Sequence, residues 1–154
     1  MTTTLTPGTL VVTISETVTL NGQEANSQNT LTLSNNIAEA YKRILTVPAS
    51  GEITIYTTHD TAVAGAQLDD DLIKYARITN KDDTNYVSVR VTDANADEFV
   101  YKLNAGESFL LHSHDTSMSA CDTADAGAAN ANIVSVEAQA NTADCDCEVF
   151  VASI

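Results

Sequence analysis

Along most of the chain apolar and polar residues alternate one by one, and β-branched side chains fill many of the apolar positions. That period of two predicts half-buried β-strands. Leu10-Val-Val-Thr-Ile14 opens the series, and Glu16-Thr-Val-Thr-Leu20 continues it or begins the next strand. Asn21-Gly22 is a tight-turn signal because both residues tolerate positive φ. Thr30-Leu-Thr-Leu33 predicts a strand that Asn35-Asn36 ends. Ala38-Glu-Ala-Tyr-Lys-Arg43 has helix propensity and predicts one helical turn at most over residues 37–41, leading into the strand Ile44-Leu-Thr-Val47 before Pro48. After a turn at Ala49-Ser-Gly51, Glu52 to Thr57 is a strand with Ile53 and Ile55 on one face. Residues 58–71 are small and polar, end in Asp69-Asp-Asp71, and predict a surface loop.

Residues 75–111 carry the clearest pattern. Tyr75-Ala-Arg-Ile-Thr-Asn-Lys-Asp-Asp-Thr-Asn-Tyr-Val-Ser-Val-Arg-Val91 reads as strand, polar turn, strand, with Val87, Val89 and Val91 opposite Ser88 and Arg90. Phe99-Val-Tyr-Lys-Leu103, Asn104-Ala-Gly-Glu107 and Ser108-Phe-Leu-Leu111 repeat it, which predicts two successive hairpins. Residues 133–138 and 145–151 predict a last hairpin that pins the C-terminal tail into a sheet. Residues 112–132, rich in Ser, Ala, Asp and Thr, lack the bulky side chains that offset ordering entropy and predict a long exposed loop. The sum is about nine short strands with turns every 8–12 residues, the pattern of an all-β antiparallel β-sandwich, jelly-roll-like or immunoglobulin-like. The strand count does not choose between those topologies. Residues 10–154 are expected to form a single β-sandwich domain, and residues 1–9, rich in Thr with Pro7 and Gly8, an extended N-terminal arm that could add a strand to a neighbour's sheet.

Composition narrows this further. A chain of 154 residues is expected to be one domain, long enough to fold without staples. Tryptophan is absent and aromatics are 5%, so the core must be built from Val, Ile, Leu and Ala. The net charge of −14, from 21 acids against 7 Lys and Arg, repels phosphate backbones and anionic lipid, and argues against nucleic acid or membrane as a partner. It suits a well-solvated surface, or salty water in which screening weakens self-repulsion. The N-terminus has no basic start and no apolar run of a signal peptide, and no stretch approaches the roughly 18 apolar residues of a membrane helix. The chain is therefore expected to be made in a cytoplasm and to leave it without Sec export.

Candidate chemistry is sparse. Cys121, Cys145 and Cys147 make an odd count, a poor disulfide framework. Cys145 and Cys147 share one strand face and are expected to be small buried apolar side chains; a disulfide from Cys121 to one of them, or half a zinc site lacking its second pair, are the other readings. Gly106-Glu-Ser-Phe-Leu-Leu-His112-Ser-His114 resembles the start of the cupin metal motif, and two imidazoles on one strand face suit a transition metal. The chain then departs from that motif: residues 116–119 supply no glutamate and no histidine follows His114. Asp115 or Asp122 would have to complete the site, because two ligands rarely hold a metal. Ser108 and Ser113 lie near His112 without a Gly-x-Ser-x-Gly elbow, and the six scattered glycines build no phosphate loop. Asp69-Asp-Asp71 and Asp82-Asp83 match no EF-hand and are expected to be solvated turns. Tyr41, Tyr56, Tyr75, Tyr86 and Tyr101 fall mostly inside strands, a poor platform for sugars. The residues therefore predict no catalytic, cofactor-binding or metal-ligating set, no cofactor, and a non-enzymatic role.

The wording of residues 72–111, a Tyr-x-Arg-Ile-Thr-Asn-x-Asp-Asp-Thr-Asn-Tyr-Val hairpin followed by Lys102-Leu-Asn-Ala-Gly-Glu-Ser-Phe-Leu-Leu111, resembles small virion structural proteins of tailed phages, especially those of marine bacteria and cyanobacteria. The likeness extends more loosely to Ser15-Glu-Thr-Val-Thr-Leu-Asn-Gly22, Arg43-Ile-Leu-Thr-Val-Pro48 and Cys147-Glu-Val-Phe-Val-Ala152. It implies a virion protein released by lysis: first a head-decoration or cement protein, second a tail-associated ring, adaptor or fibre-base protein. It also implies the major capsid protein or tail proteins of the same virion as partners, and a symmetric homo-oligomer, commonly a trimer. It assigns no functional residues.

Overall fold

The computed structural model describes residues 6–59, 68–69, 72–112, 119–120 and 131–154. Their strands are β1 (Gly8–Glu16), β2 (Thr19–Leu20), β3 (Gln23–Glu24), β4 (Ser27–Ile37), β5 (Glu39–Val47), β6 (Ile53–His59) and β7 (Leu68–Asp69). They continue as β8 (Ile73–Asn80), β9 (Val87–Asp93), β10 (Glu98–Leu103), β11 (Ser108–His112), β12 (Ser119–Ala120), β13 (Ala131–Ala140) and β14 (Cys145–Ser153). No helix occurs among the described residues.

Two sheets face each other. One runs β11-β8-β14-β5 and the other β10-β9-β13-β6-β7, with β12 added to β13. Every pairing is antiparallel except the two-residue contact of β6 with β7. The fold is an antiparallel β-sandwich. Its core follows from the alternation: Val87, Val89 and Val91 of β9 are buried, as are Cys145, Cys147, Val149 and Val151 of β14, while Ser88 and Arg90 face outward. Val, Ile, Ala and Cys dominate, as the scarcity of aromatics requires.

A bulge adjusts this pattern in β6. Thr54 pairs with Glu137 and Tyr56 with Val136, so Ile55 is an extra residue and both Ile55 and Tyr56 are buried. Beyond the bulge Thr58 is buried too, and its hydroxyl donates to the Ile133 carbonyl at 2.9 Å. The Tyr56 hydroxyl, in contrast, has no hydrogen-bond partner among the described residues. Burial raises this phenol above its ordinary 10.0. The fold holds the neutral form, so this contribution to stability is complete below pH 10 and falls away above it, where the unfolded chain ionises first. Tyr56→Phe should therefore raise unfolding free energy at pH 7 by about 1 kcal/mol. It should also flatten the loss of stability above pH 10, which urea titrations across that range would measure.

Several expected connections are rewired. β8 and β9 lie in opposite sheets, so residues 81–86 form an arch over the end of the sandwich and not a hairpin turn. Residues 104–107 carry β10 across to β11, and residues 141–144 carry β13 across to β14, in the same way. The true hairpin of the region is β9–β10, paired from Val87↔Leu103 to Thr92↔Glu98. A strand with one apolar face is satisfied equally by a neighbour beside it or by a sheet across the core, and alternation does not distinguish the two. The expected helical turn at residues 37–41 is also absent. β5 pairs with β14 from Glu39↔Ser153 to Val47↔Cys145, and this ladder overrides a short local propensity. Asn35-Asn36 do not end β4, which runs on to Ile37.

The expected loop at residues 58–71 contains paired Thr58–His59 and Leu68–Asp69, and the expected loop at 112–132 contains β12 and the first residues of β13. Residues 60–67, 70–71, 113–118 and 121–130, and residues 1–5 of the expected arm, lie outside the described residues. Gly8 and Thr9 of that arm already belong to β1.

Candidate interaction surfaces

The first thirty residues or so build something the alternation did not reveal. Among the described residues β1 and β4 pair only with each other, from Gly8↔Ile37 to Glu16↔Ser27, and β2 and β3 close the tip around Asn21 (φ 52) and Gly22 (φ 78). This is one long two-stranded hairpin. At its base Leu10, Val12 and Leu31 are half-buried and Leu33 is buried. From residue 13 to residue 30, however, every side chain is exposed, Ile14, Val18 and Leu20 among them. The hairpin therefore projects beyond the sandwich. An isolated two-stranded hairpin is marginal in water, and Ile14, Val18 and Leu20 leave apolar surface exposed on this one.

The hairpin base lies over the outer face of the β11-β8-β14-β5 sheet. Leu10, Val12 and Ile14 on one side and Tyr75, Leu110 and Phe150 on the other line an open groove of about 490 Å³. Tyr75 and Phe150 meet edge to face at 5.9 Å. Beside them the Arg77 guanidinium pairs with Glu148, which also takes Lys42 at 3.2 Å. Arg77 first, then Lys42, holds the Glu148 carboxyl below the usual range.

The outer face of the other sheet centres on Arg90. Its guanidinium donates to both Glu52 oxygens (3.0 and 2.6 Å) and to Glu98 (2.7 Å), and lies 3.2 Å from Glu137 without hydrogen-bond geometry. Arg90 is the one cation paired with these three carboxylates among the described residues, which leaves the cluster around it acidic. Along its edge, β10 exposes three consecutive apolar residues, Phe99, Val100 and Tyr101. Tyr101 stacks on Phe109 at 5.2 Å and Phe99 meets it at 6.2 Å, so an aromatic cluster fills the open rim between β10 and β11.

The residues singled out for chemistry do not converge. Cys145 and Cys147 are free thiols, fully buried in the core. Burial raises both, Cys147 to about 12. Cys121, His114, Ser113, Asp115, Asp122, Asp70 and Asp71 lie outside the described residues. His112 ends β11 exposed, on the outward face with Ser108 and Leu110, while Phe109 and Leu111 point inward. His112 therefore faces away from the interior between the two sheets. Asp82 is a turn former: its carboxylate accepts from the amides of Asn85 (2.6 Å) and Thr84 (2.8 Å), which hold it below the usual range. Among the described residues no group of three or more His, Cys, Asp or Glu could hold a metal ion.

No family model matches the chain, and no curated protein matches it either.

Proposed function

We propose that this is a non-enzymatic virion structural protein of a tailed phage, which decorates or cements the capsid surface through its projecting hairpin. The observation that carries the reading is the hairpin itself, exposed from residue 13 to residue 30 and bearing Ile14, Val18 and Leu20. A segment that buries so little of its own chain gains stability by being covered, and the resemblance of residues 72–111 supports a virion protein as the partner, the major capsid protein first and tail proteins second.

The strand order adds support. β5 pairs with β14, β6 with β13, β8 with β11 and β9 with β10. The first four of these strands thus run antiparallel to the last four as one doubled ribbon folded across the two sheets. We read this nesting as a jelly roll, an architecture used by viral capsid domains and also by lectins and cupins. A ring or fibre-base position in the tail would use the same hairpin and is the second reading.

Gold-labelled antibody on intact particles decides between them. Label over the head is expected; label confined to the tail moves the protein to the tail machinery, and unlabelled particles overturn the virion reading. A variant with Asn-Gly in place of residues 15–28 tests the hairpin. Covering Val18 and Leu20 is worth about 2 kcal/mol, so occupancy should weaken by about thirtyfold while the sandwich melts as before. Undiminished occupancy would remove the hairpin from the interface.

A further inference from the structure

We propose that two copies of the chain pair antiparallel along β10, with Val100 on the two-fold axis. Among the described residues β10 pairs with β9 alone, so its outer edge offers free backbone groups, and natural proteins usually blunt such an edge. Here the centre of the edge is apolar, with Val100 62% exposed, and charged residues flank it symmetrically. Glu98-Phe99-Val100-Tyr101-Lys102 is self-complementary when reversed about its middle. In that register Glu98 lies opposite the second copy's Lys102, Phe99 opposite its Tyr101, and Val100 opposite its Val100.

Each face of the paired strands then gains something the single chain lacks. On the outer face, a lysine arrives beside Glu98, where Arg90 alone faces Glu52, Glu98 and Glu137. The Lys102 ammonium rests over the Tyr86 ring at 4.3 Å and no carboxylate holds it among the described residues, so a carboxylate of the second copy can take it. On the inner face, two Phe–Tyr cross-strand pairs extend the cluster of Phe99, Tyr101 and Phe109, and aromatic pairs are among the more favourable cross-strand contacts. The contact is isologous and closes at two copies, unlike the trimer implied by the resemblance. It does not rest on the virion reading. Because each chain carries −14, added salt should tighten the pair by screening the repulsion between copies.

Sedimentation equilibrium of the purified chain, with and without Val100→Lys, is the test. A dimer is expected, and Val100→Lys, which sets like charges opposite each other, should weaken it by more than about tenfold. In a Cys121→Ala background, Val100→Cys should oxidise to a covalent dimer while the equally exposed Ile44→Cys should not. A monomer, a trimer indifferent to Val100→Lys, or equal cross-linking at both positions would overturn the proposal.

Discussion

Asn80→Ala should destabilise the fold by about 3–4 kcal/mol, more than most changes of a single polar residue. Asn80 is fully buried at the end of β8, where two arches meet. Its side-chain amide donates to the Asn85 carbonyl (2.8 Å) and the Leu103 carbonyl (3.2 Å), and its oxygen accepts from the Asp82 amide (3.0 Å). Its backbone is bound too, donating to Glu107 and accepting from Gly106. The one residue thus joins the 81–86 arch to the 104–107 arch. Truncation to Ala keeps the backbone bonds but strands two carbonyls and an amide at a place only partly open to water. For a chain of this size the loss corresponds to about 8–15 °C in Tm, measurable by calorimetry or urea titration. A loss below about 1 kcal/mol would mean that water replaces the side chain. Asn80→Asp separates the donors from the volume. A carboxylate there faces two carbonyls, so its folded pKa rises above the unfolded value of about 3.9. Its stability is then best below that pH and falls as pH rises through the raised value, so the variant should be worst near neutrality.

That pair of arches also marks where the sequence stops being legible. The strands themselves were readable, because Val87-Ser-Val-Arg-Val91 and Cys145-Asp-Cys-Glu-Val149 can bury one face only as strands. The Asn21-Gly22 turn was readable because it needs positive φ, and it has it. The partner of each strand was not, since β8 and β9 bury the same alternate residues whether they lie side by side or face each other. The distinction resides in long-range contacts such as Asn80 to Leu103, which no local pattern encodes. The helical turn at residues 37–41 failed for the same reason, outweighed by the ladder to β14 from the far end of the chain.

Exposure was the other blind spot. Thr-Val-Thr-Leu in residues 17–20 alternates as cleanly as any core strand, yet it lies on the projecting part of a hairpin that no third strand covers among the described residues. Phe99 and Tyr101 were assigned to a strand correctly, but their partial exposure follows from the position of β10 at a sheet edge, known only once the order is known. The cysteines were legible as buried apolar groups, since residues two apart on a strand share its face. His112 was legible as a strand end facing solvent.

Leu33→Ala should release the hairpin while leaving the sandwich standing. Leu33, 2% exposed, is the most deeply buried described side chain between residues 8 and 37, opposite Leu10 at the hairpin base. Truncating a buried leucine costs about 2–5 kcal/mol, but here the loss can fall on docking alone. Few contacts tie β4 to β14, the Ala38 amide bond to the Ser153 carbonyl (3.0 Å) lies beyond its end, and the groove beside Tyr75 and Phe150 is already open. A hairpin deprived of its anchor has little else to order it. Amide exchange in β1 and β4 should accelerate by about a hundredfold or more, while protection in β9 and β13 changes by less than about tenfold. Val11→Ala, on the outward face of the same hairpin, should leave both unchanged. If exchange in β9 and β13 rises in step with that in β1, the hairpin is part of the cooperative core. Its exposed apolar residues would then be the rim of a rigid body, and not an arm whose order depends on what covers it.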